Sequence, residues 1–518
     1  MPPATSTFFP RGRTIPAQRR EGSGVPITLG ELIHGLNCQG LQSAYAAIPI
    51  RGIYTDSREV EPDSLFVALP GNRTDGMRFV RDAVVRGAKV VLSSPGRIAR
   101  DALTEAGIAW LTAPDPKALL PELSARIYGF PARELRLHAV TGTNGKTTTA
   151  YMLAHILSTQ GRKVAFWTTN QVEGIANPFR PHMTTPHAPA LHRFLREVAD
   201  NGAQEVVIEV SSHALALNRI GGLTFATGAI TNITPDHLDF HGSFDDYAAS
   251  KASLMNYIDS AGMVALNVDD PQVSRLVDKA PVAVATFGLN HDAVFHARMI
   301  LLDASFSQWE WFEHGVSQGQ IRLAVPGRHN VQNALCAIAM ARHLDIEGRD
   351  AASALEKFMP APRRLETMVV GDITVVTDVA MNRGSYDAVM QSVAELRKPF
   401  VVVNAIRGNR GVEVNADIAQ VLADWNDRLQ FAPVVVSLSR GQVERLSVDY
   451  RVRPQESQAF LDVARRRGMG VELFEELPQA LEAALGRLAP GGVLLLLGTF
   501  GMDDGLSLVA GMLNGKLR

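Results

Sequence analysis

Short runs of consecutive apolar residues recur along the chain and alternate with stretches in which apolar residues return about every three to four positions. The runs LFVALP at 65–70 and KVVLSS at 89–94 predict buried strands. Between them, MRFVRDAVVRGA at 77–88 has helical periodicity and a glycine near its end. ITLGELIHGL at 27–36 predicts a short amphipathic helix. Strands that alternate with helices favour an α/β fold built on parallel sheets.

Two further groups of elements continue this alternation, and a Pro- and Arg-rich stretch, MPAPRRLE at 359–366, separates them. The strand candidates of the two groups are LRLHAV, KVAFWTT, EVVIEVSS, TGAITNIT and MVALNVDD, and then ITVVTDVA, FVVVNAIRG, PVVVSLS and GVLLLLGTF. We therefore predict an α/β protein of three domains, with a central parallel-sheet domain and a Rossmann-like C-terminal α/β domain. The predicted boundaries are 1–25 for a tail, 26–135 for the first domain, 136–360 for the central domain and 361–518 for the C-terminal domain.

The composition narrows the class of protein. With 518 residues the chain is too long for one core, and its net charge of −2 gives no basic field for nucleic acid or a membrane surface. No apolar run approaches the ~18 residues that a membrane span needs. The two cysteines, Cys38 and Cys336, exclude a disulfide framework and a four-cysteine zinc module, and they fit a reducing cytoplasm.

The first 25 residues, rich in Pro, Arg, Ser and Thr, predict a disordered tail. An organelle transit peptide is the alternative, because the stretch is Arg-rich and almost free of acidic residues.

The segment VTGTNGKT at 140–147 joins a predicted strand to a predicted helix. Gly142, Asn144 and Gly145 allow backbone N–H groups to face an anion, Lys146 adds a positive charge for phosphates, and Thr147 adds a hydroxyl for Mg²⁺. The helix that follows contributes its N-terminal dipole. A plain Gly-rich turn with a solvated lysine is the alternative to a nucleotide site.

Two more candidate ligands follow predicted strands. Glu209 ends the apolar run EVVIEV, and His237 comes shortly after the strand within TGAITNIT. Open parallel sheets build their sites at the carboxyl ends of strands. An exposed glutamate and a structural histidine are the alternatives when each residue is considered alone.

Several motifs in series resemble the Mur ligase family, over about residues 50–370. They are TDSREVEPDSLFVALPGNRTDG, VTGTNGKTTTAYML, TTP, EVSSHALALNRI, TNITPDHLDFHGSFDDYAASKASL and GRHNVQNALCAIAMA. The resemblance is to the MurE type, which adds an amino acid to UDP-N-acetylmuramoyl-dipeptide. It implies an enzyme that uses ATP and Mg²⁺ to turn a carboxylate into an acyl phosphate, which an amine then attacks to give an amide, ADP and phosphate. Its partners would be small molecules, a UDP-sugar peptide or other carboxylate plus an amine.

The resemblance also implies roles for individual residues. Catalytic roles fall on Lys146, Glu209, His237 and Lys251, and Mg²⁺ ligation on Thr147, Glu209, His237 and Lys251 as a carbamate formed with CO₂. Nucleotide contacts are implied for Gly142, Thr143, Asn144, Gly145, Lys146, Thr147, Thr148, Asn330, Asn333, Arg364 and Asp378. Substrate contacts are implied for Ser57, Arg58, Thr184, Thr185, Ser211 and Arg219.

Three of these groups have plain alternatives. Lys251 could be a solvated helix lysine, and the DSR tripeptide with Ser57 and Arg58 could be a capped turn. Asn330 and Asn333 could be a helix cap with a polar face after it.

The C-terminal domain departs from the family pattern. TDVAMNRG at 377–384 stands where the MurE type has Asp-Tyr-Ala-His-Thr-Pro, so Asp378 is retained while Met381, Asn382 and Arg383 replace His, Thr and Pro. The Asp-Asn-Pro-Arg motif that reads diaminopimelate is not visible, and GTFGMDDG replaces the Gly-Lys-Gly-His-Glu stretch. The family's amino-acid specificity therefore cannot be carried over. Arg383, Asp503 and Asp504 either form a new site or are exposed loop charges.

Three hypotheses stay open at this point. The chain is a peptidoglycan ligase with an unusual amine site, or a related ligase recruited to specialised metabolite or amino-acid conjugate synthesis, or a non-catalytic nucleotide-binding partner. Binding of UDP would separate the first from the second. A monomer or small homo-oligomer is expected, with a hinge at MPAPRR that lets the C-terminal domain close over ATP.

Overall fold

A computed structural model describes residues 27–70, 75–96, 107–181, 183–290, 292–409, 411–431, 433–446 and 450–516, with residues 514–516 described as backbone alone. The chain divides into two compact units, Met1–Gly129 and Phe130–Arg518, which are described separately. The tail and transit-peptide predictions for 1–25 lie outside the described residues.

The first unit contains a four-stranded parallel sheet. Its strands in spatial order are β3 (Gly52–Tyr54), β4 (Ser64–Val67), β5 (Ala88–Ser93) and β6 (Ala109–Thr112). An antiparallel pair joins β1 (Ile27–Thr28) to β2 (Pro49–Ile50), and the α-helices among the described residues of this unit are α1 (Leu29–Ile33), α2 (Val80–Val85) and α3 (Pro116–Ile127). The structure confirms four predicted elements of this unit: the strands within 65–70 and 89–94, the helix within 77–88 and the short helix near 27–36. Helix α2 packs on β5 through buried Val80 and Ala83.

The second unit contains a ten-stranded sheet, which we call the central sheet. Its spatial order is β16-β15-β14-β13-β12-β11-β7-β10-β8-β9, and the pairs from β8 to β14 are parallel. The strands are β7 (Arg136–Thr141), β8 (Val164–Trp167), β9 (Val172–Glu173), β10 (Glu205–Glu209), β11 (Phe225–Ile230), β12 (Ile258–Asn267), β13 (Ala283–Gly288), β14 (Phe295–Leu302), β15 (Ser307–Glu313) and β16 (Val316–Leu323).

The predicted parallel sheet is confirmed, and an antiparallel extension, β14–β15–β16, adds to it without having been predicted. In β15 the side chains alternate, so that Trp309 and Trp311 are buried while Gln308 and Glu310 are half-buried on the other face.

Helices cover both faces of the central sheet. They are α4 (Lys146–Thr159), α5 (Ala188–Asp200), α6 (Ser212–Ala216), α7 (Leu238–His241), α8 (Phe244–Ala252), α9 (Pro271–Ser274), α10 (Arg328–His343) and α11 (Gly348–Glu356). On one face α4 packs against α10, which is buried along most of its length. On the other face α5 buries Leu191, Leu195 and Val198. The helix predicted in TTTAYMLAHILSTQG is confirmed, and Gly161 follows its end with a φ of 74°.

A six-stranded sheet, the C-terminal sheet, has the order β17-β18-β22-β19-β20-β21, parallel except for the β17–β18 pair. Its strands are β17 (Arg364–Val370), β18 (Ile373–Asp378), β19 (Phe400–Ala405), β20 (Val434–Ser437), β21 (Val471–Phe474) and β22 (Val493–Leu497). Its helices are α12 (Arg383–Glu395), α13 (Val412–Leu429), α14 (Arg440–Val443), α15 (Pro454–Arg466), α16 (Leu477–Leu485) and α17 (Gly505–Lys516). This is the Rossmann-like arrangement that the sequence predicts; the exact domain boundaries stay a prediction. In the part of the chain that the structure describes, no helix is both long and apolar enough to cross a membrane.

Candidate active site

The candidate site lies where β7, β10 and β11 end. β7 is the middle strand of the three, and it pairs in parallel with β10 on one side and β11 on the other. The carboxyl ends of these strands therefore meet at one edge of the sheet, where open α/β folds bind their ligands. The segment 142–147, which we call the phosphate turn, leaves β7 at this edge and leads into α4.

Two glycines give the phosphate turn its shape. Gly142 and Gly145 have φ values of 147° and 87°, which side chains rarely adopt. A Cβ at 142 would lie 1.9 Å from Thr231 Oγ1, and one at 145 would lie 2.5 Å from Asn333 Oδ1. The side chains of Thr231 and Asn333 leave no space for a Cβ atom, so only glycine fits at positions 142 and 145.

Lys146 is held over the phosphate turn rather than extended into water. Its Nζ donates to the carbonyl oxygens of Gly142 and Thr143, at 3.0 and 2.9 Å. Burial lowers the pKa of Lys146, while the charges of Glu209 and Asp236 oppose that shift. Lys146 is therefore half-buried and hydrogen-bonded to the turn, and its contact with phosphates stays a prediction.

Glu209 is a buried carboxylate with three donors, although its position at the end of β10 also allowed an exposed side chain. It is 1% exposed, and it accepts hydrogen bonds from Thr147 Oγ1 at 3.0 Å, Thr169 N at 2.7 Å and Thr169 Oγ1 at 3.0 Å. The exposed alternative is wrong. Hydroxyl and carboxylate oxygens side by side are the ligands that Mg²⁺ prefers.

Lys251, on α8, is also buried, at 2% exposed. Its Nζ donates to the Gly142 carbonyl at 2.5 Å and lies 4.7 Å from the centre of the Tyr247 ring. Burial lowers the pKa of Lys251 well below its usual value, and the charge of Lys146 lowers it further. The solvated-helix alternative is wrong: two lysines converge on one carbonyl of the phosphate turn.

His237 belongs to a neighbouring set of side chains. It adopts a φ of 53°, its backbone N–H donates to Asp236 Oδ1 at 2.9 Å, and its ring meets that of His213 edge-on at 4.8 Å. Burial, followed by the charges of His237 and His241, lowers the pKa of His213 to about 4, so His213 is neutral at pH 7. No cluster of three or more His, Cys, Asp or Glu side chains that could hold a metal occurs among the described residues. Of the predicted Mg²⁺ ligands, Thr147 and Glu209 are in direct contact. Ligation of Mg²⁺ by His237 stays a prediction.

The four predicted substrate residues of this unit are connected to Glu209 by a series of hydrogen bonds. Thr184 Oγ1 lies 2.9 Å from Thr169 Oγ1, and Thr185 Oγ1 donates to the Glu209 carbonyl at 2.8 Å. Ser211 N donates to Thr185 Oγ1 at 3.0 Å, and Arg219 Nη1 donates to the Thr185 carbonyl at 2.8 Å. Their contact with substrate stays a prediction.

Asn330 and Asn333 point inward from α10. Both are buried, Asn330 donates to the Pro326 carbonyl at 2.7 Å, and Asn333 accepts from Thr149 Oγ1 at 3.3 Å. The alternative of a polar surface face is wrong, because Asn333 ties α10 to α4 behind the phosphate turn. Thr143 and Thr148 are buried as well, and Thr143 Oγ1 lies 2.8 Å from Tyr247 Oη.

Residues at the end of the predicted hinge segment and beyond it reach the phosphate turn. Arg364 Nη2 donates to Thr147 Oγ1 at 3.2 Å, and Asp378 is buried and accepts from Leu365 N at 3.0 Å. Asn382, which the sequence did not single out as a site residue, lies 3.3 Å from Asn144 through their side chains. Its replacement of the family's threonine was the signal that could have found it.

Arg383, Asp503 and Asp504 do not form one site. Arg383 is exposed and pairs with Asp424 at 2.7 Å, whereas Asp503 pairs with Arg180 at 3.0 Å and also with Arg363. Asp504 is 9% exposed, so its interpretation as an exposed loop charge is wrong.

In the first unit, the capped-turn interpretation of the DSR tripeptide is confirmed. Asp56 accepts from Arg58 N at 2.9 Å and pairs with the Arg58 side chain at 2.5 Å. Ser57 is buried within this turn. A role for Ser57 and Arg58 in binding uridine diphosphate stays a prediction.

Asp378 makes the stability of the protein depend on pH. Burial raises its pKa to about 6, against the opposing charge of Arg364. The folded state then holds the proton more tightly than the unfolded state, so the stabilising contribution is complete below about pH 4 and is lost as the pH rises through 6. We expect Asp378→Asn to remove a pH-dependent cost of about 3 kcal/mol.

In thermal unfolding, the midpoint of Asp378→Asn should therefore rise relative to the wild-type protein between pH 5 and pH 8. Asp417→Asn, on the exposed face of α13, is the control and should show no such trend. Parallel pH curves for Asp378→Asn and the wild-type protein would contradict the prediction.

A glycine turn at the end of a central parallel strand, a lysine folded over it, and a buried acid paired with the first helical threonine define a P-loop nucleotide-binding enzyme. Profiles of one protein family match three regions of the chain. The profile described as Mur ligase middle domain matches residues 140–341, Mur ligase, glutamate ligase domain matches 363–500, and Mur ligase family, catalytic domain matches 49–128.

Curated relatives agree with these profiles. The UDP-N-acetylmuramoyl-L-alanyl-D-glutamate--2,6-diaminopimelate ligase of Syntrophomonas wolfei is 32% identical over 403 residues, which are 77% of this chain and 81% of the relative. The ligase of the same name from Alkaliphilus metalliredigens is 32% identical over 369 residues, 68% of this chain and 71% of the relative. A solved structure of a ligase of that name shares the fold with a TM-score of 0.65 and 20% identity, over 95% of this chain and 100% of its own.

The chain belongs to the Mur ligase family. It is an ATP-dependent, ADP-forming ligase that makes peptide-type amide bonds between small-molecule substrates. The hypothesis of a non-catalytic nucleotide-binding partner is thereby overturned.

Proposed function

We propose that this ligase adds an amino acid, or a closely related amine, to the terminal carboxylate of a UDP-N-acetylmuramoyl peptide. The observation that carries the proposal is the convergence at the phosphate turn, where Lys146 and Lys251 share the Gly142 carbonyl and Glu209 is fixed by Thr147 and Thr169. The curated relatives named above act on a substrate of that kind, which is the reason for choosing this carboxylate.

The residues present fit one Mg²⁺ beside the turn. Thr147 Oγ1 and Glu209 Oε2 are 3.0 Å apart and supply the oxygen ligands that Mg²⁺ favours. His237 and a carbamylated Lys251 are the proposed ligands of a second ion. When bound, Mg²⁺ neutralises charge on the transferring phosphoryl group.

Lys251 is suited to become a carbamate. Only a neutral amine attacks CO₂, and burial favours the neutral form of Lys251 by lowering its pKa. In this reaction Nζ forms a bond to the carbon of CO₂ and releases one proton to solvent. Counted from the ammonium form, which must first lose a proton to become the amine, two protons are released and the positive charge gives way to a carboxylate, which changes the residue from a repellent of cations to a ligand for them.

The chain's own groups then support two chemical steps. A carboxylate oxygen of the acceptor attacks the γ-phosphorus of ATP, and ADP leaves, while Lys146 and the N–H groups of the turn neutralise the charge. The amine nitrogen next attacks the acyl carbon, loses a proton, and expels phosphate. Arg364, which reaches Thr147 at 3.2 Å, is the group that the C-terminal sheet contributes to the same phosphates.

The identity of the amine is a separate question. At the place of the family's late Gly-Lys-Gly-His-Glu stretch, Asp503 is engaged by Arg180 and Arg363, and Met502 is fully buried. The pairing of Asp503 with two arginines favours a second candidate function, a ligase of the same mechanism that uses a different amine in a specialised pathway. For both candidates we propose a cytoplasmic enzyme that is a monomer or small homo-oligomer; the requirement for ATP and the two free cysteines, Cys38 and Cys336, support the cytoplasmic location.

The experiment that tests the proposal is phosphate release with Mg·ATP and UDP-N-acetylmuramoyl-alanyl-glutamate against a panel of single amino acids, with product masses measured in parallel. We expect one panel member to add its own mass minus water to the acceptor. Omission of the acceptor is the control and should abolish phosphate release. Phosphate release that requires another carboxylate would overturn the choice of acceptor and support the specialised ligase.

A further inference from the structure

Asn382 joins the C-terminal sheet to two loops of the central sheet. Its Nδ2 donates to Asp236 Oδ2 at 2.8 Å, and its Oδ1 accepts from Asn144 Nδ2 at 3.3 Å. Asn144 belongs to the phosphate turn, and Asp236 immediately precedes His237. One short side chain thus bridges the turn and the loop that follows β11.

The position of Asn382 is fixed from its own side. It is the N-cap of α12: its Oδ1 accepts from Ser385 N at 3.0 Å, and Ser385 Oγ accepts from Asn382 N at 3.0 Å. Gly384 follows, and a Cβ there would lie 3.1 Å from Asn144 Nδ2, which shows how closely the start of α12 approaches the phosphate turn.

The charge at Asp236 makes the contact strong. The carboxyl group of an aspartate is ionised at neutral pH. The Asn382 amide therefore donates to a carboxylate, and hydrogen bonds to charged groups contribute more than neutral ones.

We propose that Asn382 is a positioning residue that fastens the C-terminal sheet over the phosphate turn and so retains the bound nucleotide. The inference rests on the nucleotide site of the proposed function, but it adds a residue and a role that the family pattern does not supply, since that pattern has threonine here. The side chain of threonine is one bond shorter than that of asparagine, so the reach to Asp236 is a property of this chain.

The test is the dissociation rate of a fluorescent ADP analogue with Mg²⁺ from the full-length protein. Asn382→Ser is the informative variant, because serine remains a good N-cap while its hydroxyl is too short for the bridge. We expect the analogue to dissociate roughly tenfold faster, with little change in the thermal midpoint. Arg383→Ala, at the next residue and paired with Asp424, is the matched control and should stay within about twofold of the wild-type rate.

A reciprocal exchange separates positioning from general damage. Asn382→Asp alone keeps the cap but places two carboxylates against each other, so release should be at least as fast as in Asn382→Ser. Combining it with Asp236→Asn restores a donor and an acceptor in reversed order, and the introduced amide oxygen can still accept from His237 N. We expect the double variant to dissociate more slowly than Asn382→Asp.

Two outcomes would overturn the inference and can be told apart. Wild-type dissociation rates in Asn382→Ser, with normal nucleotide affinity, would overturn the role of Asn382 alone. Absence of nucleotide binding by the wild-type protein would overturn the nucleotide site and, with it, the proposed function.

Discussion

Lys146→Ala is expected to lower ATP turnover by about a thousandfold while leaving the fold intact. The ammonium already lies over the phosphate turn, donating to two of its carbonyl oxygens, and a terminal phosphate that enters the turn would offer a stronger acceptor than either. Its charge is needed in the transition state of phosphoryl transfer, where catalysis depends on positioning and on neutralisation of the transferring group.

The stability of the variant should change little, because Lys146 is only half-buried and its two acceptors remain within the turn. The measurement is phosphate release at saturating Mg·ATP, with circular dichroism to verify the fold. Lys163→Ala, at an exposed lysine just beyond α4, is the matched control. Turnover in Lys146→Ala equal to that of the control would remove the phosphate turn from the mechanism.

Local patterns in the sequence were sufficient to predict the phosphate turn. The apolar run of β7, the glycines at 142 and 145 and the helix that starts at Lys146 are contiguous, so spacing alone predicts the strand, the turn and the helix. Glu209 was also found locally, because a carboxylate at the end of an apolar strand requires donors once it is buried.

The sequence did not predict the contacts between segments that are far apart in the chain. Asn144 and Asn382 are 238 positions apart, and Asn382 and Asp236 are 146 apart. Neither pair leaves a periodic signal, because each depends on how two sheets are arranged and not on the pattern of one element. The antiparallel strands were missed for a different reason, since β15 and β16 interleave polar residues with apolar ones and lack the continuous apolar runs of the parallel strands.

Lys251→Ala is the second variant with a large expected effect, a loss of ligase activity of about a hundredfold or more that small carboxylates partly restore. From spacing alone Lys251 resembled a solvated helix lysine, yet its Nζ lies 2.5 Å from the Gly142 carbonyl in a buried setting. A buried amine whose pKa is lowered is ready to react with CO₂, and truncation to alanine leaves space that acetate or formate can enter.

Restoration by carboxylates distinguishes a carbamate from a lysine that only packs. Acetate should raise the activity of Lys251→Ala in proportion to its concentration, and chloride at equal ionic strength should not. Lys357→Ala, at an exposed lysine after α11, should behave as the wild-type protein in both salts. Mass spectrometry of the intact wild-type protein under CO₂, at mildly alkaline pH, should show a gain of one CO₂ that Lys251→Ala lacks. Full activity in Lys251→Ala would return this lysine to a structural role, and the cation ligands would then reduce to Thr147, Glu209 and His237.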